Sequence, residues 1–117
     1  MRVNGWDFID HMIDDCNDIL DALNSTPNYK SFKKNKLVHK AVTYSLLDLG
    51  ELMKTFSENE RSIHQDIPWK RIIGFRDRAA HGYHNLDLEI IWEISQTLIN
   101  PMLDALKQYK EEIESIK

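Results

Sequence analysis

The stretch FIDHMIDDCNDILDAL, residues 8–23, places apolar side chains at Ile9, Met12, Ile13, Cys16, Ile19, Leu20 and Leu23. This is the i, i+3, i+4, i+7 recurrence of a helix with one apolar face, and aspartates fill the rest of the circumference. The spacing predicts a helix from Trp6 to Leu23. Asn24-Ser25-Thr26-Pro27-Asn28 ends it, because Pro27 has no N–H with which to continue the hydrogen-bond ladder. The acidic side chains of residues 7–21 are expected to face solvent or to meet a basic partner.

Working outward, the same rhythm returns. Leu37, Val38, Ala41, Ser45, Leu49, Leu52, Met53 and Phe56 predict a second helix over residues 37–56, with the lysine-rich segment 29–36 as a helical lead-in. Residues 57–66 are polar and read as a loop. Pro68 suits the first turn of a third helix, where its missing N–H costs nothing, and Trp69, Ile72, Ile73 and Phe75 carry that helix onward. Asp87 is a plausible N-cap for a last helix, whose apolar stripe runs from Ile90 to Ile116. Pro101 interrupts that stripe and predicts a kink near Asn100. With four glycines, three prolines and no sustained alternation, nothing reads as a strand. The expected fold is all-α: one domain over residues 1–117, an up-and-down bundle of four main helices with a kinked last helix.

Composition narrows the function. A chain of 117 residues with 42% apolar residues suits one core. No apolar run approaches the ~18 residues of a membrane span, and the N-terminal MRVNGWDFIDHMIDD lacks the apolar core of a signal peptide. A cytoplasmic location away from membranes is expected. The single cysteine, Cys16, excludes an internal disulfide and a cysteine-built metal site, and its place on the apolar stripe predicts a buried thiol. Net charge is −4, which argues against a general polyanion binder. The charge is unevenly spread, however. KSFKKNKLVHK, residues 30–40, has five lysines and no acid, and Lys70, Arg71, Arg76 and Arg78 are set against Asp77 alone over residues 69–84. The lysine run reads as a solvated face or as a track that steers RNA backbone.

The second of these islands holds RDRAAHGYH, residues 76–84. An arginine presents a planar fork that matches phosphate oxygens. A histidine titrates near neutrality and moves protons to or from oxygen. RNA offers both targets, a phosphodiester and the neighbouring 2′-hydroxyl, so Arg76 and His81 are the candidate catalytic pair. Five residues turn a helix by about 140°, so the two side chains diverge within one chain, and a symmetric dimer would bring copies together. His81 and His84 form too thin a ligand pair for a metal site, and no metal or cofactor is implied. Trp6, Trp69 and Trp92 read as core or interface aromatics, and His11, His39 and His64 as surface or cap residues.

Arg76-Asp77-x3-His81-x-Tyr83 resembles the signature of the HEPN superfamily, specifically the HepT-like ribonuclease toxins. Tyr44-Ser45-Leu46-Leu47-Asp48-Leu49-Gly50-Glu51 resembles the family's second-helix segment, which commonly runs to Gly-Glu. Trp69 with Ile72, Ile73, Gly74 and Phe75, then Leu86-Asp87, Ile91-Trp92 and Pro101, are similar to its remaining landmarks. The resemblance implies a helical homodimer, or a higher oligomer, with both motifs lining a shared cleft. It implies metal-independent RNA cleavage in which Arg76 anchors the phosphate and His81 is general acid or base. It further implies that a partner nucleotidyltransferase antitoxin adenylylates Tyr83 and silences the toxin. Many members have asparagine after the arginine, where this chain has Asp77. That carboxylate is expected to pair with Arg78 or Arg76 and to repel phosphate, weakening catalysis. The alternative is a non-catalytic nucleotide- or substrate-binding subunit of a nucleotidyltransferase, with Arg76 and Arg78 on a nucleotide phosphate.

Overall fold

In a computed structural model, which describes residues 5–82 and 86–116 with side chains from Phe8 onward, the first apolar stripe becomes helix α1 (Gly5–Leu23). Six helices follow: α2 (Tyr29–Lys34), α3 (Lys36–Met53), α4 (Glu58–Ile63), α5 (Trp69–His81), α6 (Leu88–Thr97) and α7 (Ile99–Ile116). No strand occurs among the described residues, and the all-α expectation holds. The side chain of Trp6, together with Tyr83, His84 and Asn85, lies outside the described residues.

Short polar side chains set the helix boundaries. The Asn28 side chain accepts the Ser31 N–H at 2.9 Å and starts α2. Asn35 accepts the Val38 N–H at 3.1 Å, so the lysine-rich lead-in is a separate helix rather than an extension of α3. Residues 57–66 are not simply a loop. Ser57 and Glu60 form a reciprocal capping box that closes two orphan backbone groups and nucleates α4. Asp87 caps α6 as expected, accepting the Glu89 N–H at 2.8 Å.

The kink falls slightly earlier than expected and is a break. Leu98 separates α6 from α7, and Pro101 is the third residue of α7. Proline cannot donate to the carbonyl four residues back, at Thr97, so the ladder fails just upstream of the ring.

α1 packs on α3 and α7, α3 also packs on α5 and α6, and α2 rests on α3 and α6. Ring contacts show that these long helices alternate in direction. Phe8, near the start of α1, meets Phe56, just past the end of α3, and Phe56 meets Trp69 at the start of α5. The core draws Ile9, Met12 and Ile19 from α1, Val42, Leu46, Leu49 and Met53 from α3, Ile72 from α5, and Met102 and Leu106 from α7. Each such side chain contributes roughly 1.5–3 kcal/mol by leaving water. Trp69 is buried, and Trp92 is half-buried against Phe32 at 5.1 Å. His11 is exposed, whereas His64 stacks on Tyr109 with ring centroids 3.6 Å apart.

Two expectations fail. The core stripe of α3 runs through Val38, Val42, Leu46, Leu49 and Met53, which leaves Ala41 exposed and Leu37 83% exposed. Val38, Ser45, Leu49, Met53 and Phe56 are buried as expected, but Val42 and Leu46 take the core places that the spacing gave to Leu37 and Ala41. The acidic residues of α1 do not all face water either. Asp14, Asp18 and Asp21 do, but Asp15 is 7% exposed. Its Oδ2 is buried without an N–H or O–H donor, and the side chain within hydrogen-bond reach is another carboxyl, Asp48 of α3. A proton kept on Asp15 removes its charge from these surroundings. Burial first, then the bond to Asp48 and the charges of Asp48, Asp18 and Asp14, push the Asp15 carboxyl up to about 9. Cys16 is fully buried as expected, and burial pushes its thiol up to about 12. Among the described residues no helix is long and apolar enough to cross a membrane.

Candidate active site

α5 buries Trp69, Ile72, Phe75 and Ala79 on one face, which leaves Arg76, Asp77, Arg78 and His81 on the rest of the helix. Where it crosses α3 the two backbones come unusually close. A Cβ added to Gly50 would lie 2.5 Å from Arg76 Cβ and 3.2 Å from the Ile72 carbonyl oxygen. A side chain at position 50 therefore has no room, and the arginine lies directly over the helix that carries Gly50-Glu51.

That crossing determines what Arg76 does. Its Nε forms an ion pair with Glu51 Oε2 at 2.7 Å, and the side chain is 30% exposed. A guanidinium met at Nε still carries two Nη groups whose planar fork matches paired oxygens. Asp77 lies one residue on, and Lys54 Nζ donates to its Oδ1 at 3.0 Å. This corrects the expectation that Asp77 pairs with Arg76 or Arg78. Consecutive helix residues point about 100° apart and cannot face each other, whereas α3 ends with a lysine within reach. The hydrogen bond and charge of Lys54, with further attraction from Arg76 and His81, hold the Asp77 carboxyl below the usual carboxylate range.

His81 is the last residue of α5 and is exposed. The Gly82 N–H caps back to the Ala79 carbonyl at 3.2 Å, so the helix ends at the histidine. His81 and Arg78 line a cavity of about 400 Å³ together with Phe75, Leu86, Asp87 and Ile90. Arg76 turns instead toward α3. The divergence read from the spacing thus persists within the chain, and Asp77 feels the charge of both groups. The readings of Tyr83 as a modification site and of His84 as a ligand fall outside the described residues. Among the described residues no three His, Cys, Asp or Glu side chains are grouped to hold a metal ion. The lysines of residues 30–40 are exposed around α2 and the start of α3.

Sequence reasoning gave no role to Glu51 or Lys54. The available signal was Gly50, a glycine inside a strongly periodic helix, which marks a close backbone approach.

Comparison with known proteins gives the chain a family. The family model described as Ribonuclease HepT-like matches residues 9–113. The chain is 32% identical over 110 residues to the protein named Putative RNase MJ0127 of Methanocaldococcus jannaschii, covering 94% of this chain and 88% of that one. It is 28% identical over 110 residues to Putative RNase TTE0752 of Caldanaerobacter subterraneus subsp. tengcongensis, covering 94% and 95%. Probable ribonuclease HepT of Thermococcus cleftensis is 27% identical over 89 residues, covering 76% and 68%. No solved structure matches the chain. The match runs from α1 into α7 and includes both sides of the α3–α5 crossing, and the chain belongs to the HepT-like ribonuclease family of the HEPN superfamily.

Proposed function

We propose that the chain is a metal-independent endoribonuclease, the toxin of a toxin–antitoxin pair, with Arg76 and His81 as its catalytic residues. His81 takes the proton of an RNA 2′-hydroxyl and the freed oxygen attacks the adjoining phosphorus. The bond to the 5′-oxygen breaks as that oxygen takes up the proton that His81 now carries. The products are a 2′,3′-cyclic phosphate and a 5′-hydroxyl. Arg76 places its fork on the phosphate and offsets the charge that builds on the non-bridging oxygens. The observation that carries this reading is the contact between Arg76 Nε and Glu51 at 2.7 Å, which holds the guanidinium ready on the helix that ends at His81. Lys54 offsets the charge of Asp77, which it meets at 3.0 Å, and so favours a phosphate beside Arg76.

The divergence of Arg76 and His81 supports a homodimer whose two motifs share one cleft. Asp77 and Arg78 act as auxiliary charges beside it. The switch is Tyr83, adenylylated by a partner nucleotidyltransferase in the cytoplasm. Expression in a bacterial host tests the whole reading. Growth should arrest with the wild type and recover with His81→Ala. Coexpression of the cognate nucleotidyltransferase should restore growth and add an adenylyl group to Tyr83 by mass spectrometry. Equal growth with wild type and His81→Ala would reject the reading.

A further inference from the structure

In-line attack of a 2′-oxygen needs the nucleophile, the phosphorus and the leaving oxygen in one line. Stacked A-form RNA does not present that arrangement, so a base beside the scissile bond has to leave the stack and be held elsewhere. The cavity at the end of α5 is placed to hold it. His81 and Arg78 line it, and its apolar lining comes from Phe75, Leu86 and Ile90. Phe75 is 2% exposed and so forms a floor, while Ile90 is 37% exposed. The volume of about 400 Å³ falls within the ~300–1,000 Å³ of sites that enclose small ligands.

Asp87 gives the cavity chemical direction. Its Oδ1 accepts the Glu89 N–H at 2.8 Å, which fixes the carboxylate and leaves Oδ2 as an acceptor. Adenine, cytosine and guanine carry exocyclic amino donors, whereas the one donor on the pairing edge of uracil is its ring N3–H, set between two carbonyl oxygens that repel a carboxylate. Arg78 meanwhile supplies positive charge for the flanking phosphate, or a planar surface for the ring. We propose that this cavity holds an unstacked nucleobase of single-stranded RNA beside the scissile phosphate and selects amino-bearing bases over uracil. The site so defined rests on the ribonuclease reading, since it names the substrate of the same helix end.

The probes are single-stranded RNA hexamers that differ at one base, and 2′-O-methyl versions that bind but lack the attacking hydroxyl. The wild type should bind and cut hexamers with an amino-bearing base about tenfold better than those with uridine, the effect of one hydrogen bond to a charged group. Ile90→Trp fills the cavity from a half-open position and should weaken binding about tenfold or more. Asp87→Asn keeps a good N-cap while replacing an acceptor with a donor, and should bring uridine close to the other bases. Binding of the 2′-O-methyl probes that ignores both the base and Ile90→Trp overturns the proposal, whether or not RNA is cut. Base-selective, Ile90-dependent binding without His81-dependent cleavage supports the cavity and rejects the ribonuclease reading instead.

Discussion

Glu51 Oε2 lies 2.7 Å from Arg76 Nε, joining the end of α3 to the middle of α5. The glutamate is 60% exposed on its side chain, so the pair adds less than about 1 kcal/mol to stability. Its effect is directional. Glu51→Ala should leave the melting temperature nearly unchanged while lowering kcat/KM on RNA about 10- to 100-fold, the cost of a charge displaced by roughly 1 Å. Glu51→Gln keeps an acceptor and should lose less. Wild-type kinetics in Glu51→Ala would show that Arg76 needs no such hold.

Gly50 should resist even the smallest side chain. Alanine favours a helix interior by about 1 kcal/mol over glycine. Here its Cβ would meet Arg76 Cβ at 2.5 Å, a rigid atom near the backbone, and overpacking of this kind costs about 1–3 kcal/mol. The clash wins, so Gly50→Ala should unfold at lower temperature and denaturant concentration and lose RNA cleavage as Arg76 shifts. A variant more stable than wild type would mean that the two helices are not this close.

The Lys54–Asp77 pair should behave as a charge balance. Lys54→Ala leaves the carboxylate of Asp77 unpaired beside the phosphate site, and a several-fold fall in kcat/KM is expected. Asp77→Asn in that background should restore most of it. Because Lys54 holds the Asp77 carboxyl below the usual range, the acid stays charged above about pH 4 and should add no inflection to activity between pH 5 and 9. A double-mutant cycle without coupling would separate the two residues.

How much of this was legible depended on whether the signal was local. The stripe from Ile9 to Leu23 named α1 because every residue reports on its own turn. α4 escaped because six residues carry no periodicity, and its only mark was the Ser57–Glu60 cap. The edge of the α3 arc, with Leu37 outside it and Val42 and Leu46 inside, was set by what α3 packs against, which its own sequence does not contain. The site divides in the same way. Arg76 and His81 stood out because their chemistry lies in one short segment. Glu51 and Lys54 come from another helix, and their partners follow from a crossing geometry of which only Gly50 left a trace.

Asp15 should make stability fall with pH. Its folded value of about 9 lies above the ordinary ~3.9, so the folded state keeps a proton that the unfolded state releases. The contribution is fully favourable below about pH 4 and is lost as pH rises toward 9, at up to about 1.4 kcal/mol per pH unit. Asp15→Asn keeps a donor for Asp48 and should flatten that slope, leaving the variant more stable than wild type at pH 8. Parallel stability curves from pH 5 to 8 would contradict the proton retained on Asp15.

The most direct test is the chemistry of the cut ends. Purified wild type, Arg76→Ala and His81→Ala are incubated with bulk tRNA in excess EDTA, and the products are analysed for their termini. The wild type should yield fragments ending in 2′,3′-cyclic phosphate and beginning with 5′-hydroxyl. Both variants should be slower by a factor of about 100 or more, the combined scale of general acid–base and electrostatic catalysis. Cleavage that persists in both variants, or that requires a divalent ion, would contradict the assignment of Arg76 and His81.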